Sequence, residues 1–135
     1  MSLFSALSIG ASGMSAQRTR AELITENLAN AETTRTPGGG PYRRKDVVFE
    51  SQSFSSLLDS ASVSVSEIVT DQRDPEQRYM PGHPDAGPDG YVAFPRINPA
   101  EEMVNLMSAS RNYEANVASI SAVKDMIQRS IDLLR

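Results

Sequence analysis

The sequence contains no cysteine and no tryptophan, and it has only four phenylalanines, four tyrosines and one histidine. Without cysteine there can be no disulfide, no Cys-ligated zinc and no lipid attached through sulfur. A single histidine, His83, excludes a two-histidine relay or a His-based metal cluster within one chain. There is also no apolar run of about 18 residues, so no segment is predicted to span a bilayer.

Neither positive nor negative charge is in large excess. The formal net charge of the 135 residues is −4, which provides neither a basic face for nucleic acid nor an acidic tail. With 39% hydrophobic residues, the chain is predicted to have a thin core. No Lys or Arg precedes Arg18, so we interpret the mildly apolar start as mature protein rather than a cleaved leader.

The C-terminal stretch is predicted to be one long helix. Asn98 can cap it and Pro99 suits its first turn, and from there no Gly or Pro interrupts it, giving about 36 residues and roughly 55 Å. Its apolar residues recur at alternating three- and four-residue steps, with Ser110 and Lys124 filling the gaps. This spacing predicts a stripe that faces a partner helix, made of Met103, Leu106, Tyr113, Val117, Ile120, Ile127, Ile131 and Leu134.

A second, weaker helix is predicted from Met1 to about Ala31. Its heptad-like stripe comprises Leu7, Met14, Ile24 and Leu28. Gly10 and Gly13 each cost about 1 kcal/mol of helix propensity relative to Ala, but small residues also let another backbone approach closely. We therefore expect this helix to depend on packing against a neighbour.

Between the helices the composition changes abruptly, because seven of the eight prolines and six of the eight glycines lie between Thr36 and Ile97. Short strands are predicted at 46–50, 62–69 and 91–94, with a loop over 71–89. The predicted fold class is α+β, with a coiled-coil-like pair of terminal helices and a small β-rich, loop-rich insert. The predicted divisions are 1–33 for the N-terminal helix, 34–97 for the insert and 98–135 for the C-terminal helix.

No catalytic, cofactor or metal site is predicted. The triple glycine at 38–40 lacks the Lys and Ser or Thr of a phosphate-binding loop, and the region of Asp85 and Asp89 lacks the alternating carboxylates of a calcium loop. The basic cluster at 43–45 is followed by Asp46, which favours a solvated face or a salt bridge between subunits over a nucleic-acid patch.

Five motifs occur in an order and spacing that resemble one family. They are Asn27-Leu28-Ala29-Asn30-Ala31 with Thr33, Thr34, Arg35 and Thr36; Gly40-Pro41-Tyr42-Arg43-Arg44-Lys45; Pro81-Gly82-His83-Pro84-Asp85; Gly90-Tyr91-Val92; and Glu101-Glu102-Met103 with Arg111-Asn112-Tyr113-Glu114-Ala115-Asn116. Together they cover nearly the whole chain. The sequence resembles the bacterial flagellar rod and hook axial proteins, and among them the family of proximal rod subunits called flagellar basal-body rod protein C.

The resemblance implies a non-enzymatic structural subunit of the flagellar basal body, polymerising helically into the rod that crosses the periplasm, encloses the export channel and transmits torque to the hook. The implied partners are other copies of the chain, other rod proteins, the membrane-embedded ring and rod-base adaptor, and the flagellar type III export apparatus, which would export the chain without a cleaved signal peptide. It also implies that the helices form an inner layer, with the insert outside. No nucleic acid, cofactor or small-molecule substrate is implied.

The apolar seams of both helices are the predicted subunit-packing residues. The motifs add candidate interface residues, which are Asn27, Asn30, Thr33, Tyr42, Arg43, Arg44, His83, Tyr91, Arg111 and Asn116. Simpler interpretations remain open: the polar residues around Asn30 can be a helix stop, and Arg111 can pair with Glu114 in its own helix. Two rival functions also remain: a monomeric helical adaptor or export-chaperone-like protein, and a hydrolase with a carboxylate pair within 71–89.

Overall fold

A computed structural model describes residues 3–53 and 61–133. Helix α1 (Leu3–Ala29) is followed by strands β1 (Lys45–Ser53), β2 (Ala61–Thr70), β3 (Glu76–Tyr79) and β4 (Tyr91–Phe94), and the described part ends with helix α2 (Pro99–Asp132). The predicted arrangement of two long terminal helices around a β-rich insert is therefore confirmed. Within the described residues, neither helix is apolar enough over a sufficient length to cross a membrane.

Helix α2 begins where the sequence predicts. Asn98 adopts an extended conformation, its side-chain oxygen accepts a hydrogen bond from the Ala100 N–H, and Pro99 is the first helical residue. Two acidic residues lie in the first turn and Arg129 lies in the last, so both ends complement the helix dipole. Its 34 residues give a length of about 51 Å.

The two helices are antiparallel, because Gly10 lies beside Ile120 at one end and Asn27 bonds Glu102 at the other. Side chains of α2 lie directly over both glycines: an added Cβ at Gly10 would lie 2.8 Å from Ile120 Cγ1, and one at Gly13 would lie 2.9 Å from Asn116 Nδ2. The glycines that lower the helix propensity of α1 thus permit close contact with α2 of the same chain.

The stripe predicted on α2 divides into two parts. Leu106, Ile120 and Ile127 are half-buried, whereas Met103, Val117 and Ile131 are 57%, 41% and 53% exposed. The flank that faces α1 consists of Glu102 and Ala109, which are buried, and Asn116 and Val123, which are half-buried. Sequence spacing cannot distinguish these two flanks, because both share the line of residues 106, 113, 120 and 127. In the structure, the contact of Gly13 with Asn116 and the complete burial of Ala109 show which flank faces α1.

The remaining seam predictions have different outcomes. On α1, Ile24 is buried, and Leu7, Met14 and Leu28 are half-buried. Tyr113 is among the exposed residues of α2, and Leu134 lies outside the described residues. Coiled-coil packing of the pair, and packing of either seam against other subunits, stay predictions.

The insert contains two antiparallel hairpins. Strands β1 and β2 pair from Lys45 with Thr70 to Ser53 with Ala61, with a bulge between Val48 and Phe49. This hairpin packs along α1, where the Val63 N–H donates to Ser12 Oγ at 3.1 Å. Helix α1 therefore lies between α2 and the first hairpin.

Strands β3 and β4 form the second hairpin, from Glu76 with Phe94 to Tyr79 with Tyr91. The sequence predicted β4, but the prediction of a loop throughout 71–89 is wrong, because β3 lies within it. All four β3 residues are exposed, so the strand has no apolar alternation to reveal it. Pairing with β4, whose Val92 and Phe94 are buried, is what makes it a strand.

Candidate assembly interface

A buried polar cluster joins both helices to the first hairpin, and Asn27 is its centre. The Asn27 side chain is 0% exposed and makes four hydrogen bonds. Its Nδ2 donates to the Lys45 carbonyl at 2.8 Å and to Glu102 Oε2 at 3.2 Å. Its Oδ1 accepts from the Lys45 N–H at 2.9 Å and from the Tyr42 hydroxyl at 3.1 Å. One amide thus fastens α1 to α2 and to the start of β1.

Glu102 is the charged member of the cluster and is only 2% exposed. Arg44 Nε donates to its Oε1 at 2.8 Å, and Arg44 Nη1 also pairs with Asp46 at 2.9 Å. Burial alone would lower the pKa of Arg44, but the hydrogen bonds to Glu102 and Asp46 raise it above its ordinary value. The buried carboxylate is therefore paired with a permanent cation, which a buried charge requires.

Tyr42 and Lys45 close the cluster on the side of Glu26. Lys45 Nζ lies 2.6 Å from Glu26 Oε1 and 5.6 Å from the centre of the Tyr42 ring. The pKa of Tyr42 is raised to about 12, mainly by burial and to a smaller extent by the carboxylates of Glu26 and Glu102. The phenol therefore remains a neutral hydrogen-bond donor to Asn27 at physiological pH.

Several of the predicted interface residues outside this cluster, among them Arg43, Arg111 and Asn116, lie on or near the surface. Arg43 is exposed, and its Nη1 donates to the Asp71 carbonyl at 3.0 Å. Arg111 is exposed on α2, and Asn116 is half-buried beside Gly13. Near Arg43, hydrogen bonds from Arg73 lower the pKa of Asp71 to about 2.

An open groove of about 490 Å³ runs between α1 and α2. Its floor and walls are formed by both helices and include polar and charged side chains as well as apolar ones: Gln17, Arg18, Ala21, Leu106, Ala109, Ser110 and Tyr113. In the parts of the chain that the structure describes, no group of three His, Cys, Asp or Glu side chains could hold a metal ion. The surface thus offers helical faces and an open, mainly apolar groove with Arg18 in its lining, which are features suited to packing other helices.

Comparison with known proteins gives two family matches and several full-length relatives. A family model for flagella basal body rod proteins matches residues 7–35, and one for the C-terminal region of flagellar basal body rod FlgEFG proteins matches 89–133. The flagellar basal-body rod protein FlgC of Bacillus subtilis is 40% identical over 98% of this chain and 99% of its own. The FlgC protein of Borreliella burgdorferi is 37% identical over 100% of this chain and 99% of its own. That of Escherichia coli O157:H7 is 38% identical over 98% of this chain and 98% of its own.

The chain belongs to the FlgC family. The resemblance inferred from the five sequence motifs is confirmed, and three residues of those motifs can now be given a structural place. Asn27, Tyr42 and Arg44 are predicted interface candidates, and in this FlgC-family chain all three lie in the polar cluster inside the subunit. Any contact they make with a neighbouring subunit stays a prediction.

The turn after α1 accounts for two further motif residues. Asn30 Nδ2 donates to the Glu26 carbonyl, and Asn30 Oδ1 accepts from the Thr33 hydroxyl at 3.1 Å. The Thr33 carbonyl then accepts from the Tyr42 N–H at 3.0 Å. The simpler interpretation of these residues as a helix stop is therefore supported, and the turn positions Tyr42 for its bond with Asn27.

The motif around His83 is a loop docked onto the same turn. The Asp85 N–H donates to His83 Nδ1 at 3.1 Å, and the imidazole stands edge-on to Phe94 at 6.2 Å between ring centres. Asp85 Oδ2 accepts from the Thr34 hydroxyl at 2.8 Å, and Arg35 lies 3.7 Å from its other oxygen. The loop between β3 and β4 is thus tied to the end of α1.

Tyr91 packs edge-on against Tyr79 across the second hairpin, with ring centres 5.3 Å apart, and half of it is exposed. Gly90 precedes it with φ +77°, and a Cβ there would lie 2.8 Å from the Tyr79 ring. Both the backbone conformation and the neighbouring ring require glycine at this turn.

Sequence reasoning missed the role of Glu102 and of the Lys45 backbone. In the sequence Glu102 is recognisable only as a motif residue, and its spacing from Leu106 and Ala109 is the one available signal, a charge at the spacing of the stripe. That signal is ambiguous because an acidic residue in the first turn of a helix also suits the helix dipole. A backbone group such as the Lys45 N–H carries no sequence signal at all.

Proposed function

We propose that this chain is a structural subunit of the bacterial flagellar basal-body rod. The observation that carries the proposal is the similarity to FlgC proteins over essentially the full length of both chains. The architecture is consistent with it: two long antiparallel helices offer extended packing faces, and the polar cluster fixes the first hairpin rigidly to them.

In this proposal the subunits polymerise helically in the proximal rod, spanning the periplasm as a drive shaft that transmits torque and encloses the export channel. Torque transmission needs a subunit whose parts do not turn against one another. The salt-bridged and hydrogen-bonded cluster of Asn27, Glu102 and Arg44 meets that need, because rotating the hairpin against the helices would leave buried polar groups unpaired.

The proposed contacts between subunits are helical. Met103, Val117 and Ile131 face away from α1 at seven-residue multiples, which is the spacing suited to a second helical neighbour. Arg43, Tyr91 and Arg111 are surface candidates for further contacts. The partners would be other copies, other rod proteins, the membrane ring and rod-base adaptor, and the type III export apparatus that delivers the chain without a cleaved signal peptide. The role is non-enzymatic.

The test is a deletion strain complemented with the tagged chain. We expect swimming to be restored, the chain to co-purify with isolated basal bodies, and rods to be missing without it. Hydrogen exchange of the free and the assembled chain distinguishes a rod subunit from a monomeric adaptor. Strong protection of the backbone amides of 3–29 and 99–132 only after assembly supports the rod subunit. Normal rods without the chain, or its absence from basal bodies, would reject the proposal.

A further inference from the structure

A small pocket at the base of the first hairpin brings together four arginines from separate segments of the insert. Arg43 and Arg44 precede β1, Arg73 lies between β2 and β3, and Arg96 follows β4. The pocket volume is about 10 Å³, which is room for one water-sized group. A pocket of this size excludes a bulky ligand but admits one oxygen of a carboxylate whose remainder stays at the mouth.

Two of the four arginines have no carboxylate partner among the described residues. Arg44 and Arg73 each pair with nearby carboxylates. Arg43 Nη1 donates only to backbone carbonyls, the nearer at 3.0 Å, and Arg96 is exposed without a side-chain hydrogen bond or ion pair to the described chain. Asp74 follows Arg73 but pairs with none of them. Because a guanidinium has five N–H donors, the two unpaired arginines retain donors for an incoming carboxylate.

One face of the first hairpin carries negative charge. Asp46, Val48 and Glu50 point to the same side of β1, because side chains alternate along a strand. Glu67 is the partner of Val48 on β2, so it lies on that side as well. Asp46 has an arginine partner, whereas Glu50 and Glu67 are exposed and pair with no cation in the described parts of the chain. The one basic residue of the two strands, Lys45, points to the opposite face.

This acidic face, made of Asp46, Glu50 and Glu67, cannot fill the pocket of its own molecule. Glu50 lies six residues beyond Arg44 along β1, which is about 20 Å at 3.3 Å per residue. Glu67 lies four residues before Asp71, which lines the pocket, so about 13 Å of strand separates them. Like charges at neighbouring positions repel each other, and a guanidinium brought against them relieves that repulsion. A second copy can bring the two surfaces together.

We propose that the pocket lined by Arg43 and Arg96 binds a carboxylate of Glu50 or Glu67 from the acidic face of a second copy of this chain. The inference rests on the proposed rod function and names one polar contact within it, between inserts rather than between helices. Because the pocket and the acidic face are different surfaces, each copy can receive one neighbour and reach another. Such a heterologous contact continues from copy to copy rather than closing into a dimer.

The direct test uses Arg96→Lys in the full, tagged chain, because lysine keeps the positive charge and its amine can be coupled to a touching carboxylate with a carbodiimide. Basal bodies that contain this variant are isolated and treated with the carbodiimide. We expect a covalent dimer of the chain, in which mass spectrometry finds residue 96 joined to Glu50 or Glu67. Adding Glu50→Gln and Glu67→Gln should remove this product. The control Arg129→Lys, exposed on α2, should not be joined to the hairpin.

The absence of an adduct at residue 96, or adducts only with other carboxylates of the chain or with another protein, would overturn this contact while leaving the proposed function intact. Absence of the chain from basal bodies would instead overturn the proposed function, and this contact with it. The two failures are therefore distinguishable.

Charge reversal gives an independent test. Arg96→Glu sets a carboxylate against the acidic face and should reduce incorporation into basal bodies about ten-fold, equivalent to about 1.4 kcal/mol. Glu50→Arg combined with Glu67→Arg should have a similar effect, because it sets like charges against the pocket. All three substitutions in one chain restore opposite charges at residue 96 and should recover incorporation. With all monomers equally helical by circular dichroism, unimpaired incorporation of Arg96→Glu, or no recovery in the triple variant, would overturn the proposal.

Discussion

Replacing Asn27 with Ala tests whether the polar cluster holds the subunit together. The side chain is fully buried and its amide serves the Lys45 N–H and carbonyl, the Tyr42 hydroxyl and Glu102. Each buried group left unpaired costs about 1–3 kcal/mol, and the better helix propensity of Ala returns only about 0.5 kcal/mol. We expect the free energy of unfolding to fall by about 2–4 kcal/mol, a large part of the stability of a small domain.

Asn30→Ala is the matched control. Asn30 stands one residue beyond the end of α1 and also makes two side-chain hydrogen bonds, but it is half-exposed, so water can replace them. Its loss should cost about 1 kcal/mol or less. Urea unfolding of the monomer, followed by far-ultraviolet circular dichroism, measures both. If Asn27→Ala costs no more than Asn30→Ala, the cluster does not stabilise the junction and the reasoning is refuted.

Three further predictions address the helix pair and the cluster. Gly10→Ala should lower the free energy of unfolding by about 1 kcal/mol or more, because the new Cβ would lie 2.8 Å from Ile120; this clash outweighs the higher helix propensity of Ala. An increased stability in urea unfolding would contradict the prediction. Ile120→Asp should abolish assembly, because burying a carboxylate against α1 costs several kcal/mol. The control Ser121→Asp, on the exposed side of α2, should preserve swimming. Unimpaired motility of Ile120→Asp would refute the prediction that the apolar stripe is buried. Because burial raises the folded pKa of Tyr42 from 10.0 to about 12, the contribution of Tyr42 to the free energy of unfolding should be complete below pH 10 and be lost as the pH rises through 12, by at most about 3 kcal/mol. Tyr42→Phe should remove that part of the alkaline loss of stability, as measured by urea unfolding at successive pH values.

The cluster gives the FlgC-family motifs a physical explanation. The Asn27 segment, the Tyr42–Lys45 segment and the Glu102 segment are far apart in sequence, yet their side chains and backbone meet at one junction. The motif around Asp85 is tied to the same end of α1 through Thr34. Motif residues predicted as contacts between subunits thus also build the subunit, and a variant at Asn27 or Arg44 has to be tested for folding before it is tested for assembly.

Local sequence determined the elements that depend on nearest neighbours. Asn98 and Pro99 specify where α2 begins, and the concentration of Pro and Gly between Thr36 and Ile97 excludes a long helix there. The alternation at 62–69 predicts β2, because a half-buried strand needs apolar residues on one face only. The motifs were also sufficient to identify the family.

Tertiary structure decided what depends on partners distant in sequence. Strand β3 has no apolar pattern and exists through its pairing with β4. The heptad spacing does not encode which flank of α2 faces α1, since Glu102 and Met103 are equally compatible with it. The structure buries the flank with Glu102, where Ala109 is fully buried and Asn116 meets Gly13. Burial of that carboxylate is possible only because Arg44 and Asn27 arrive from two other segments, and periodicity along one helix carries no information about that meeting.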